Sequence, residues 1–490
     1  MCKIHLFTDK WLQVLCLFQL CSKISRYFSF ILEQHPVQYI QKLPLPAQSV
    51  QSILTLLQQA TMTGLVFLNN HEQPIIAFNP ATFCIVQNEK FQYYTRDKSN
   101  QYIQGQDDTE LAEFIVLQNS DHLENRTSHR FQGGYIGFIG YDYAASQSID
   151  TSISTQPALY IGKYLSYLTQ EHDEWYFYSQ SPEAETEYLQ LLNILTQQIS
   201  NHDSSFTILK SFQPRWPKST YFKAFEKIQD YIKSGDCYQI NLTQEFQTEC
   251  RGNLLSKADQ LWHLTNAPYA GYLQLDDFEL LSCSPELFIE FNEDRQIKTR
   301  PIKGTMPRFD NAKLDQISKQ KLQASEKDQA ENVMIVDLLR NDLSIYAEIG
   351  SVKTTKLFEI ESFNQVHHMV SEITATLQAD VNPFEVLLSA LPGGSITGAP
   401  KIRAMQIIHE LEEQPRGAYC GSLGYFNFDG TGCWNILIRS LQKYQNQLSL
   451  WAGGGITIAS NPEAEYQECF DKVSAMLNLI NTWQSIKSTA

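Results

Sequence analysis

The sequence predicts an α+β fold with strands that are often hairpin-connected and helices that are grouped. Three observations carry that prediction: short β-type apolar runs separated by turn residues, amphipathic segments with helix start and stop signals, and no internal repeat or low-complexity tract. At 490 residues, 43% of them hydrophobic, the chain can bury a large core.

Residues 1–37 read as an N-terminal extension, poorly ordered. Within it Trp11–Cys21 has about the length of a signal-peptide apolar stretch, but glutamines interrupt it and no small-residue cleavage site follows. It is also too short to cross a bilayer, so the expectation is a loosely attached extension or a start codon assigned too far upstream. Residues 38–200 form a first region of mixed strands and helices, with β-type runs at Gly64–Leu68 and Gln73–Phe78. Phe131–Gly140 alternates glycine with bulky apolar residues, which suits a strand approached closely by another element. Ser181 opens a helical run ending near Ser200, and 201–218, with Ser, Pro and charges, reads as the main linker.

Residues 219–485 form the second region. An amphipathic helix runs to Lys233 and is closed by Ser234-Gly235, and Cys237–Phe246 alternates as a strand should. Further helices are expected from about Lys327 to Arg340, from Pro400 to Leu411, and from Glu463 to about Trp483.

A net charge of −16 and a pI near 5.2 argue against a nucleic-acid or anionic-membrane partner, because neutralising phosphates needs clustered Lys and Arg. The ten cysteines contain no C-x-x-C pair and no spacing that suggests zinc or a disulfide framework, so a reducing, cytoplasmic setting fits.

Thr299-Arg-Pro-Ile-Lys303-Gly-Thr-Met-Pro-Arg308 places one lysine in a rigid turn among prolines and a glycine. An amine held in one direction and partly desolvated can lose its proton and become a nucleophile; the same residues also suit a surface turn with a solvated lysine. Asp328 and Glu331 lie three apart, as do Glu465 and Glu468, so each pair shares a helix face. Taken alone such faces are ordinarily just solvated, but two brought together would offer hard oxygen ligands to Mg²⁺.

Pro392–Lys401 is a glycine-rich turn leading into a helix, a setting that attracts anions, and a carboxylate fits better than a nucleotide because Ala399-Pro400 replaces the Lys-Ser/Thr of a phosphate loop. Gly453-Gly454-Gly455 suits either close backbone approach to an anion or a plain turn. Cys420 has no histidine after it in the chain and reads as a small apolar core residue.

The ordered set Ser234-Gly-Asp-Cys-Tyr-Gln239, Ser284-Pro-Glu-Leu-Phe288, Arg300-Pro-Ile-Lys-Gly-Thr305, Met334-Ile-Val-Asp-Leu338, Arg340-Asn-Asp342, Gly393-Gly-Ser-Ile-Thr-Gly-Ala-Pro-Lys401, Gly453-Gly-Gly455 and Glu465-Tyr-Gln-Glu468 resembles the chorismate-utilising enzymes, and within them the branch of aminodeoxychorismate synthase large components. The likeness spans about Arg215 to Lys472. It implies large antiparallel sheets packed face to face with helices outside, and Mg²⁺-dependent replacement of the C4 hydroxyl of chorismate by an amino group, for p-aminobenzoate and folate synthesis.

By that likeness Glu331 and Glu468 ligate Mg²⁺, with Asp328 and Glu465 behind them, and Glu286 is the acid that protonates the departing hydroxyl. Lys303 is the nucleophile that adds at C2, a position where the related anthranilate synthases carry alanine. His368, Thr397, Tyr419, Arg439, Gly454 and Lys472 fall at substrate-binding positions; His368 by itself would read as a structural histidine. A tryptophan pocket of relatives is matched by Asn266–Ala270 but not by Phe67–Asn70, which lacks the expected serine. No glutaminase triad is visible, so a separate glutamine amidotransferase subunit is implied as ammonia source. The rival readings are an anthranilate synthase large component, opposed by Lys303, and an inactive regulatory or scaffold paralogue, opposed by the presence of all of Glu286, Lys303, Glu331 and Glu468.

Overall fold

Along the strand Tyr269–Gln274, Tyr272 and Leu273 enter different apolar cores, and Leu280 and Leu281 of Phe278–Ser284 divide the same way. Successive side chains of a strand point to opposite faces, so each such strand is buried on both sides. That pattern builds the two antiparallel sheets of the computed structural model, which describes residues 38–44, 49–70, 73–105, 111–115, 130–152, 154–197, 206–363 and 366–484.

The first sheet runs in the order Tyr39–Lys42, Glu174–Ser179, Ser166–Glu171, Ile75–Ala77, Leu65–Leu68, Tyr269–Gln274, Phe278–Ser284, Ser440–Tyr444, Gln447–Ile456, Gln239–Arg251 and Thr207–Ile208. The second runs Ile302–Pro307, Val366–Thr376, Gln296–Thr299, Leu287–Phe291, Gly432–Asn435, Ser422–Asn427, Gly134–Ile139, Leu159–Tyr164, Thr82–Gln87, Lys90–Arg96 and Tyr102–Gln104. Lys353–Ser362 pairs along the other side of Val366–Thr376.

A core shared by both sheets contains Val66, Phe138, Leu273, Leu280, Leu423 and Tyr425. Helices cover the remaining faces: Val50–Gln59, Ala184–Leu195 and Ser474–Asn481 bury apolar residues in one outer core, and Lys218–Lys233, Glu326–Ser344 and Lys401–Glu412 do so in the other. The face-to-face sheet arrangement with helices outside is thus present.

The two regions separated at 201–218 do not fold as separate bodies. Leu65–Leu68 pairs with Tyr269–Gln274, and Gly134–Ile139 pairs with Ser422–Asn427, so strands from both sides of the boundary complete each sheet. Of the linker, 206–218 contributes two short strands, Thr207–Ile208 and Gln213–Pro214, both on Gln239–Arg251. The extension 1–37 and residues 201–205 lie outside the described residues.

Three local readings need correction. The lysine-bearing segment is a strand rather than a turn: Ile302–Pro307 pairs with Val366–Thr376, and the register slips between Ile302 and Thr305. Gly304 sits in that irregularity at φ +78°, where an added Cβ would also lie 2.9 Å from Asp328 Cγ. Secondly, Gly453-Gly454-Gly455 lies inside Gln447–Ile456, where a Cβ on Gly453 would fall 2.3 Å from the Leu242 carbonyl. Thirdly, the final helix is two helices, Pro462–Asp471 and Ser474–Asn481, because Val473 leaves helical geometry at φ −126°, ψ 3° and is buried in the core that also takes Met476 and Ile480.

The close approach expected at Phe131–Gly140 is found at Gly137, where a Cβ would lie 1.9 Å from the Tyr160 carbonyl oxygen. Asn69 donates to the Ala270 carbonyl at 2.9 Å, bringing the two segments of the tryptophan comparison together around a cavity of only about 20 Å³. Space of that size admits a water but not an indole as the side chains stand.

Candidate active site

A cavity of about 750 Å³ opens between the Lys303 strand, the Glu331 helix, the glycine strand and the helix Pro462–Asp471. Glu286, Lys303, Asp328, Glu331 and Glu468 all line it, as do His368, Tyr419, Arg439, Gly454 and Lys472. Residues distant in sequence therefore meet at one opening.

Helix capping sets the two acidic faces. Ser325 caps Glu326–Ser344 by accepting from the Asp328 amide, and Asn461 caps Pro462–Asp471 by accepting from the Glu463 and Ala464 amides, with Pro462 at the first turn. Asp328 and Glu465 thus sit in first turns, where the helix dipole favours negative charge. One turn later Glu331 and Glu468 face the cavity.

Glu465 is buried behind Gly454 and accepts from the Ser460 hydroxyl at 2.7 Å. A Cβ on Gly454 would stand 2.9 Å from Glu465 Oε2 and 3.1 Å from Glu468 Oε1, so the missing side chain leaves room where two carboxylates converge. Burial raises the Glu331 and Glu465 pKa values; burial would raise that of Glu468 too, but the ammonium groups of Lys472, Lys327 and Lys303 together outweigh it and hold Glu468 below the usual range. Lys472 Nζ lies 2.7 Å from Glu468 Oε1 and donates to the Gly453 carbonyl at 2.7 Å. Among the described residues no three His, Cys, Asp or Glu side chains close into a ligating cluster, and the amines of Lys327 and Lys472 pair with these carboxylates instead.

Glu286 is pinned by its backbone: its amide donates to Ser284 Oγ at 3.2 Å, its carbonyl accepts from the Ile436 amide at 3.1 Å, and Ser284 Oγ donates to the Ile436 carbonyl at 2.6 Å. Only 7% exposed, its carboxyl is pushed up to about 7 by burial, against the opposing charge of Lys303. Desolvation lowers the Lys303 pKa, the Glu286 charge opposes that, and the Lys472 ammonium adds to the lowering. The Lys303 amine donates to the Ser395 carbonyl at 3.1 Å, which fixes its direction.

His368 is buried, its Nδ1 lies 2.9 Å from Thr305 Oγ1, and burial with the Arg439 cation pushes its pKa down to about 4. It is a neutral imidazole at physiological pH. Arg439 occupies the left-handed region at φ +51°, uncommon for a residue with a side chain, at a position that lines the cavity. Tyr419 stacks on Trp451 with centroids 5.8 Å apart and planes at 17°.

Thr397 stands apart from the other expected substrate contacts. It is fully buried, its hydroxyl donates to the Gly393 carbonyl at 3.0 Å, and it supports the turn whose Ser395 and Ile396 line the cavity. At the start of the helix after Pro400, Lys401 pairs with Asp342 at 2.9 Å. Cys420 is the buried core residue expected, its thiol pushed up to about 12 by burial.

Sequence reasoning missed Lys327, Ser395, Asn241 and Trp451, all of which line the cavity. Lys327 alone had a signal, its i, i+4 spacing to Glu331. Asn241 and Ser395 are recruited through backbone geometry: Asn241 Nδ2 donates to the Ile396 carbonyl at 2.9 Å. Beneath them the buried Arg416 bonds Glu412 twice, at 2.8 and 2.7 Å, and donates to the Asn241 carbonyl at 2.8 Å and the Ile396 carbonyl at 3.2 Å.

Over residues 46–478 the sequence matches the family described as chorismate binding enzyme. It is 44% identical over 353 residues to aminodeoxychorismate synthase component 1 of Salmonella typhimurium, covering 71% of this chain and 77% of that one. It is 41% identical over 374 residues to the component 1 of Escherichia coli, covering 74% and 81%. Among solved structures, anthranilate synthase component I from Streptococcus pneumoniae superposes with a TM-score of 0.71 at 28% identity, over 82% of this chain and 91% of that one. With the match spanning most of the chain, and Glu286, Lys303, Glu331 and Glu468 meeting at one cavity, this protein belongs to the chorismate binding enzymes.

Proposed function

We propose that the protein aminates chorismate at C4, giving 4-amino-4-deoxychorismate, and that Lys303 acts as a covalent nucleophile. The single observation that carries this reading is the pairing in one cavity of an amine and a carboxyl whose pKa values are moved towards each other, Lys303 downward and Glu286 upward to about 7. A neutral amine and a protonated acid at the same pH are what a substitution with a poor leaving group needs.

The neutral Lys303 amine adds at C2, the C1=C2 and C5=C6 double bonds shift to C1=C6 and C4=C5, and the C4–O bond breaks as Glu286 delivers its proton, so that water leaves. Ammonia then forms the C4–N bond, both double bonds return to C5=C6 and C1=C2, and the C2–Nζ bond breaks to release the lysine, while the Glu286 carboxylate takes a proton from the new ammonium. The Ser395 carbonyl aims the Lys303 amine, and Tyr419 packed on Trp451 forms a flat wall for the ring. Arg439 and Lys472 place positive charge at the cavity for substrate carboxylates.

The carboxylates of Glu331 and Glu468, with Asp328 and Glu465 behind them, form a donor set suited to Mg²⁺, a hard cation that takes one or two carboxylates directly. The space left by Gly454 beside two of these carboxylates supports that fit. Bound there, Mg²⁺ would neutralise a ring carboxylate and make the ring a better acceptor. Gly454→Ala is expected to fold normally and to lose at least about tenfold in Mg²⁺ affinity, as does disturbance of a metal ligand's immediate support, measured by calorimetric titration.

Ammonia is expected from a glutamine amidotransferase subunit. The test is incubation of the purified chain with chorismate, Mg²⁺ and either ammonium at alkaline pH or glutamine, with products identified by mass and NMR. Ammonium should give the 4-amino product, glutamine none until an amidotransferase subunit is added, and EDTA should stop the reaction. Anthranilate as product, or glutamine turnover by the chain alone, would refute the assignment.

A further inference from the structure

We propose that the Lys327 ammonium holds the place of the metal cation in the metal-free protein, bridging the two acidic helix faces until a divalent cation displaces it. The inference rests on the Mg²⁺ reading above and adds a residue to it. Lys327 Nζ lies 3.8 Å from Glu331 Oε1 on its own helix and 4.0 Å from Glu465 Oε1 on Pro462–Asp471. Glu468 and Asp328 also act on its charge. One ammonium thus answers carboxylates from both helices.

Its position in the chain is otherwise unfavourable. Lys327 stands in the first turn of Glu326–Ser344, where the positive end of the helix dipole repels a cation. The surrounding carboxylates offset that repulsion. They are anchored and it is not: the side chains of Glu331 and Glu465 are 19% and 4% exposed, whereas that of Lys327 is 62% exposed and has open solvent to swing into. Lys472 cannot play this part, because it is tied to the Gly453 carbonyl and to Glu468, each at 2.7 Å. The metal-free acids are thereby kept from repelling one another, and the exchange makes metal affinity dependent on where Lys327 sits.

Mn²⁺ binding to the chelator-stripped full chain, read from free Mn²⁺ by electron paramagnetic resonance, tests this without any turnover assay. Lys327→Met should bind Mn²⁺ about tenfold tighter at low salt, since the metal no longer has to displace an ammonium attracted by carboxylates some 4 Å away, while Lys327→Arg should stay within about twofold of the wild type. The gain should shrink at high salt. In EDTA the thermal midpoint of Lys327→Met should fall below the wild type and recover more on adding Mn²⁺. If Lys327→Met binds no tighter than a wild type that does bind Mn²⁺, the displacement role is wrong and the metal site stands. If the wild type binds no Mn²⁺ with or without chorismate, both the metal reading and this inference fall.

Discussion

Lys303→Ala is expected to lose the covalent adduct with the chorismate ring and to cut formation of the 4-amino product by at least about a thousandfold, since nucleophilic catalysis splits one hard displacement into two easier ones. In the wild type the adduct should be visible by intact-protein mass spectrometry when ammonia is withheld, and it should require the metal. The variant should remain folded, because among the described residues the amine ties only to the Ser395 carbonyl and the Ile302–Pro307 pairing does not depend on the side chain. What activity remains should drift towards the 2-amino isomer, as direct attack of ammonia at C2 stays open in an otherwise intact cavity. Lys303→Arg should not rescue, because a guanidinium stays protonated. Formation of the 4-amino product at the wild-type rate by Lys303→Ala would remove covalent catalysis, and wild-type production of anthranilate would remove the C4 assignment as well.

Lys303 was legible in the sequence as a residue and not as a shape. Its prolines and Gly304 pointed to a fixed direction, which the structure retains, but they were read as a turn because the partner strand lies some sixty residues on and leaves no local trace. The acidic pairs were legible because i, i+3 spacing on a helix is a local geometric fact, whereas the Gly454 gap beside the Glu465 and Glu468 carboxylates exists only once the glycine strand packs on Pro462–Asp471. Thr397 illustrates the converse. Its motif is local, but the turn closes its hydroxyl onto Gly393 and presents the neighbouring Ser395 carbonyl to the cavity. The division into two regions shows a related limit: linker composition marks where the chain crosses the molecule, while hydrogen bonding decides whether the halves share a sheet, and here both sheets are shared.

Glu286→Gln carries the second large expectation, a loss of about 10²- to 10⁴-fold in the rate of adduct formation, the usual worth of a positioned general acid. The pH profile separates this role from a structural one. With its carboxyl pushed up to about 7, Glu286 holds a proton below that pH and loses it above, so the fraction of enzyme able to donate that proton falls as pH rises through 7. Lys303 pulls the other way, since its amine must be deprotonated to attack, and its lowered pKa brings that requirement closer to the same pH. A bell-shaped profile follows, with the alkaline limb assigned to Glu286, provided the reaction is followed without ammonia, whose own deprotonation would otherwise add a rising limb. Glutamine cannot give up a proton, so the variant should lose the alkaline limb together with the rate. Stability runs in the opposite sense. A carboxyl whose pKa is raised by folding favours the folded state below its ordinary range and loses that contribution as pH rises towards 7, so Glu286→Gln should be at least as stable as the wild type above pH 7. A variant that is slow, well folded and without an alkaline limb identifies Glu286 as the proton donor; one that keeps the wild-type rate and limb assigns the proton to another group.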